Sequence, residues 1–196
     1  MTDPDPDLAR DVDRACRLTG TFTLRSGRQA TEYFDKYLFE TDPALLARVA
    51  RQMAPLVPPG TEQLGGLELG GIPIVTVLSS VTALPALFVR KEAKRYGTAK
   101  LVEGPPVAGR RVTLVEDVIT TGGAVRDATL ALRAEGAVVE TVLCAIDRSP
   151  ADVAPLADLG LEVRAVLIRA QLDAVRARPA TTTRSTTTRS MTTETR

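Results

Sequence analysis

No stretch of this chain constrains its fold more than Val112-Thr113-Leu114-Val115-Glu116-Asp117-Val118-Ile119-Thr120-Thr121-Gly122-Gly123-Ala124. Val112 to Val115 predict a short buried parallel strand, and Ala124 to Glu135 predict a helix closed by Gly136. The connection between them carries two acids, two hydroxyls and two glycines. Glycines admit backbone conformations that other residues resist, so several N–H groups can converge on an anion at a helix N-terminus. Thr120 and Thr121 add hydroxyl donors. Glu116 and Asp117 would repel a phosphate at contact distance, yet they suit two sugar hydroxyls one ring-length away. The turn therefore reads as a binding loop for a phosphorylated sugar, with an ordinary polar strand-turn-helix connection as the plain alternative.

The rest of the composition narrows the chemistry. A chain of 196 residues with 44% hydrophobic and 25% charged residues fits one globular domain with its own core. A formal charge of +1 gives no global case for nucleic-acid binding, so an anionic substrate has to be gathered by a local patch. The chain has no histidine, which removes histidine bases, histidine metal ligands and Ser-His-Asp triads together. Cys16 and Cys144 have no CxxC partner and read as small buried hydrophobes. No apolar run approaches the ~20 residues of a membrane helix, and the start MTDPDPDLAR is acidic where a signal peptide is basic. A cytoplasmic location and no membrane partner are the expectations.

Along the chain, Leu8, Val12, Ala15 and Leu18 recur at helical spacing up to Gly20. Thr21 to Arg25 and Tyr33 to Phe39 read as extended segments around the Ser26-Gly27 turn. Asp42-Pro43 supplies an N-cap and first helical position for a stripe of Leu45, Leu46, Val49 and Met53. A weak strand follows around Gln63 to Glu68. Ile72 to Thr82 is open between strand and helix, because β-branched residues favour one and Pro73 near the start suits the other. Ala86 to Val89, Val138 to Ile146 and Leu161 to Ile168 read as further strands. Strands alternating with helices predict a mainly parallel sheet covered on both faces, an α/β fold. From about Arg178 the Thr/Arg-rich sequence lacks apolar periodicity, so 178–196 is expected to be a disordered tail after a domain spanning 1–177.

Four further segments carry candidate chemistry. Phe88-Val89-Arg90-Lys91-Glu92-Ala93-Lys94-Arg95-Tyr96-Gly97 concentrates positive charge after a strand, as a lid over a leaving anion or as a solvated basic helix face. Gly65-Gly66-Leu67-Glu68-Leu69-Gly70-Gly71-Ile72-Pro73 can expose backbone N–H groups to an anion or simply turn into a helix. Tyr33 and Phe34 can border a planar base or pack in the core. Arg148, after Asp147, can grip a carboxylate bidentately or form a surface ion pair.

In order and spacing these segments resemble the type I phosphoribosyltransferases, and EDVITTGGA with FVRKEAKRYG is similar to the orotate phosphoribosyltransferase family among them. The resemblance spans about Leu8 to Arg176. It implies a central mainly parallel sheet with a small N-terminal hood formed largely by 8–40. It also implies transfer of a phosphoribosyl group from phosphoribosyl pyrophosphate (PRPP) to orotate, a step of pyrimidine biosynthesis. Carried over residue by residue, it gives Lys94, Arg90, Glu116 and Asp117 as catalytic. Arg25, Lys91, Tyr96, Val118, Ile119, Thr120, Thr121, Gly122, Gly123 and Ala124 join those four in the PRPP site. Tyr33, Phe34, Thr120 and Arg148 would hold orotate. Tyr96 stands where the family usually has histidine, and Gly70 where some members have lysine. Mg2+ is implied as a cofactor held mainly by substrate and water, with no protein metal site, and a homodimer sharing loop residues is implied as well. A purine phosphoribosyltransferase, and a non-catalytic PRPP-sensing regulator that binds nucleic acid, are the alternative functions.

Overall fold

Apolar strands flanked by amphipathic helices need cover on both sheet faces, and the computed structural model, which describes residues 5–23, 27–92 and 101–177, supplies it. Helix α1 (Leu8–Cys16) leads into a separate antiparallel pair, β1 (Arg17–Thr23) and β2 (Gln29–Phe34). A short helix α2 (Tyr37–Glu40) and α3 (Pro43–Met53) precede the main sheet. The Asp42 side chain accepts from the N–H groups of Ala44 and Leu45, the cap that starts α3 and contributes about 1 kcal/mol.

The main sheet contains β3 (Gln63–Leu67), β4 (Ala86–Val89), β5 (Val102–Glu103), β6 (Val112–Ile119), β7 (Thr141–Asp147) and β8 (Glu162–Ile168). Its order is β5-β4-β3-β6-β7-β8, parallel throughout except for the edge strand β5. Helices α4 (Gly71–Thr82), α5 (Gly123–Ala134) and α6 (Arg169–Ala177) complete the described chain. Chain order reverses between the neighbours β3 and β6, and a crevice opens beyond the carboxyl ends of parallel strands at such a point.

Two apolar cores lie on opposite sheet faces. One joins Leu8, Leu46, Met53, Ile74 and Leu172 to Val115 and Leu143, burying α1, α3, α4 and α6. The other joins Val125 and Leu132 of α5 to Leu114 and Val142. Leu114 and Val115 are adjacent in sequence and fall in different cores, as the two-residue period of a strand requires. Cys16 and Cys144 are free and fully buried, and burial pushes both thiols up, Cys16 to about 12.

Several local expectations give way to tertiary pairing. Helix α1 ends at Cys16, and Gly20 lies inside β1, because Arg17 and Leu18 pair with Phe34 and Tyr33. The extended segment expected up to Phe39 stops at Phe34, and α2 folds in to bury Phe39 completely. The segment from Ile72 is helical, with Pro73 in the first turn. Val138 makes only an isolated bridge to Arg111, and the strand begins at Thr141. The largest correction concerns β6. It continues through Ile119 in register with β7, so Glu116 and Asp117 are strand residues and the loop is shorter than the sequence implies. β5 and α6 stand beyond the elements expected from the sequence. The expected tail, together with Arg25, Lys94 and Tyr96, lies outside the described residues.

Candidate active site

The end of β6 is fixed from two sides. Ile119 accepts a backbone hydrogen bond from Arg148 at 2.8 Å, and Thr120 accepts one from the Ser149 hydroxyl at 3.1 Å. The chain then turns sharply at Gly122, whose φ of +74° is left-handed, with α5 starting at Gly123. A side chain at Gly122 would be strained and would also stand 3.0 Å from Leu156. Thr120, Thr121, Gly123 and Ala124 are exposed around this turn, so the first N–H groups of α5 open to solvent beside the carboxylates. Ile119 is core, and any part it takes in binding is through its backbone.

Beneath the turn lies a cluster of buried charge. Glu116 is 7% and Asp117 1% exposed. Glu116 accepts the Asp117 backbone N–H at 3.0 Å, and Asp117 Oδ1 accepts the N–H of Val118. Oδ2 of Asp117 forms an ion pair with the ammonium of Lys36. Glu40, at the end of α2, is buried in the same cluster. Burial raises the Glu116 and Glu40 carboxyl pKa values, and the negative charge of Asp117 adds to both shifts. Burial opposes the charge on Lys36, but the hydrogen bond to Asp117 and the charges of Asp117 and Glu116 prevail and raise its pKa. Lys36 and Glu40 carry no local sequence signal. They reach Asp117 from a segment some eighty positions earlier in the chain.

A cavity of about 540 Å³ opens over this cluster, within the range of small-ligand sites. Its walls include Glu116, Asp117, Val118, Gly123 and Ala124 from the motif, Arg90 and Lys91 from the basic segment, and Lys36. Glu68 and Leu69, after β3, line it too. The Glu68 carboxylate accepts the Lys91 N–H at 2.9 Å, tying the glycine-rich turn to the basic segment. Arg90 donates its backbone N–H to Leu101 at 2.9 Å, and both residues line the cavity. The Arg90 Nε is buried with no hydrogen-bond partner among the described residues. No group of three or more metal-binding side chains occurs among those residues.

The candidates for the planar base divide into two. The Arg148 guanidinium lies over the Phe34 ring at 5.4 Å, and the backbone of Arg148 is bonded to Ile119, next to Thr120 in the chain. Tyr33 faces the other way along β2, 5.5 Å from the Phe22 ring and 45% exposed. Burial lowers the Arg148 pKa, with Arg169 and Arg17 adding repulsion, although a guanidinium stays charged. A half-buried cation among cations favours an incoming carboxylate.

No family model matches the chain. Among curated proteins it is 73% identical over 172 residues to an orotate phosphoribosyltransferase of a Nocardioides species, covering 88% of this chain and 96% of that one. Among solved structures, Mycobacterium tuberculosis orotate phosphoribosyltransferase in complex with Fe(III) dicitrate superposes with a TM-score of 0.75 at 36% identity, covering 85% of this chain and 97% of that one. The same enzyme in complex with PRPP superposes with a TM-score of 0.71 at 31% identity, covering 86% and 98%. By this likeness in sequence and fold, the chain belongs to the orotate phosphoribosyltransferases, pentosyltransferases of pyrimidine biosynthesis with the type I phosphoribosyltransferase fold.

Proposed function

We propose that this chain joins orotate to the ribosyl carbon of PRPP at the cavity beyond β3 and β6, yielding orotidine 5′-phosphate and pyrophosphate. The observation that carries the residue assignment is the convergence on one cavity of Glu116 and Asp117, the start of α5, and the cations Arg90 and Lys91. In this reading the 5-phosphate sits against the backbone from Thr120 to Ala124, where N–H groups and the helix dipole favour an anion. Glu116 and Asp117 accept the ribose hydroxyls. Orotate lies near Phe34 and Thr120 with its carboxylate on Arg148, while Tyr33 borders the site from the rim. The strand pair β1–β2 and α2 form the hood.

Orotate is already anionic on its ring, so the transfer needs no strong protein base. Bond breaking at the anomeric carbon builds positive charge on the ribose and negative charge on the departing pyrophosphate. The residues of this chain contribute position and charge: the carboxylates orient the ring, and Arg90, Lys91 and Lys94 stabilise the leaving group, with Arg25 and Tyr96 completing the PRPP contacts. Mg2+, held mainly by substrate oxygens and water, fits this site, because the carboxylates of Glu116 and Asp117 beside the cavity are hard oxygen donors to its water shell. When bound through substrate oxygens, it would neutralise diphosphate charge. The resemblance of the basic segment supports a homodimer that shares loop residues. No described helix is long and apolar enough to cross a membrane, and a cytoplasmic location belongs to the same reading.

Steady-state release of pyrophosphate from PRPP and Mg2+, compared across orotate, adenine, guanine and xanthine, tests the proposal. Turnover with orotate alone is the expected result. Preference for a purine, or no turnover with any base, would overturn it.

A further inference from the structure

Asp117 presents a difficulty for any ligand that is to use it. It is 1% exposed, its Oδ1 is engaged by the N–H of Val118, and its Oδ2 is covered by Lys36. Gly70 and Glu40 close the remaining side, because a Cβ on Gly70 would stand 1.6 Å from Oδ2 of Asp117 and 2.8 Å from Oε1 of Glu40. A ribose hydroxyl can therefore reach Oδ2 only where the Lys36 ammonium now sits. That side chain is 34% exposed and lines the cavity, so it has somewhere to go.

An ammonium leaving one carboxylate in a half-buried place needs another anion. Resting on the PRPP reading above, the next anion is set by the chemistry of the ligand. The hydroxyls that would take Asp117 are on C2 and C3 of the ring, C2 being next to the C1 that bears the diphosphate, while the 5-phosphate is held at the opposite end of the sugar by the start of α5. We propose that Lys36 is a further substrate-binding residue, exchanging its ion pair with Asp117 for the diphosphate oxygens of PRPP as the ribose hydroxyls arrive. Lys36 then does two jobs. It neutralises Asp117 while the site is empty, and it joins Arg90 and Lys91 on the leaving group when the site is filled.

Binding of PRPP and of ribose 5-phosphate, which lacks the diphosphate, measured by calorimetry at fixed Mg2+ for the wild type, Lys36→Met and Lys36→Arg, tests this exchange. Losing one charge-assisted contact is expected to weaken PRPP binding by about 10- to 100-fold in Lys36→Met. Ribose 5-phosphate should bind that variant as well as or better than wild type, since Asp117 is no longer capped. Lys36→Arg should restore most of the PRPP affinity. Equal weakening of both ligands would make Lys36 a structural prop, and unchanged PRPP binding would remove it from the site; either result overturns the proposal. Should Lys36→Met fail to fold, Lys36→Gln carries the same comparison. A wild type that binds neither ligand would instead overturn the PRPP reading itself.

Discussion

The α carbon of Gly70 lies against the carboxylate of Asp117, so closely that a Cβ at position 70 would stand 1.6 Å from Oδ2. Gly70 has φ of −70°, which alanine adopts freely, so space and not backbone conformation requires the glycine. Gly70→Ala is expected to push Asp117 out of place, at about 1–3 kcal/mol of overpacking. Misplacing a group that orients the ribose should lower kcat/KM for PRPP by ~10²-fold. Kinetics and thermal melting of the variant check this, and wild-type kinetics would show that the carboxylate can move without consequence.

The acid cluster predicts a pH dependence of stability. Burial, and then the charge of Asp117, push Glu40 up to about 8 from an ordinary 4.5, with Lys36 partly opposing and Asp35 adding to the shift. The folded state thus holds this proton more tightly than the unfolded chain. The resulting stability is present below 4.5 and is lost as pH rises through about 8. Glu40→Gln cannot ionise, so its melting temperature should fall less steeply across that window and exceed that of the wild type at the alkaline end. Parallel melting curves for the two proteins would contradict the assignment.

Arg148 should act on one substrate only. Replacing it by alanine removes a charge-assisted contact and is expected to raise the KM for orotate by about 10- to 100-fold, with little change for PRPP. Lysine should rescue only part of the loss, because a single ammonium cannot reproduce a two-pronged grip. An equal rise in both KM values would place Arg148 outside the base site.

The cations of the basic segment should act on turnover. Lys94→Ala and Arg90→Ala are each expected to lower kcat by ~10²-fold, the usual size of a lost electrostatic contact in a transition state. Melting temperatures near that of the wild type would separate this effect from unfolding. Unchanged kcat in both variants would remove the basic segment from the mechanism.

What could be read from the sequence was what is local in the chain. The Asp42-Pro43 cap, the strand Ala86–Val89 and the turn at Gly122 into α5 each rest on residues close together, and each occurs where the spacing puts it. Elements decided by distant pairing are not legible in local sequence. Gly20 looked like a helix stop until the ladder to β2 drew its neighbours into β1. The extension of β6 through the acids depends on register with β7, which no pattern within the motif encodes. The site divides the same way. Glu116, Asp117 and the α5 start belong to one motif, whereas Lys36, Glu40 and Gly70 meet Asp117 only because three separate segments converge at the β3–β6 switch point.

A crystal structure of the protein soaked with PRPP and Mg2+ decides whether the turn after β6 holds the phosphorylated sugar. The 5-phosphate is expected against the backbone from Thr120 to Ala124, with the ribose hydroxyls on Glu116 and Asp117. Density for PRPP elsewhere, with that turn empty, would contradict this placement.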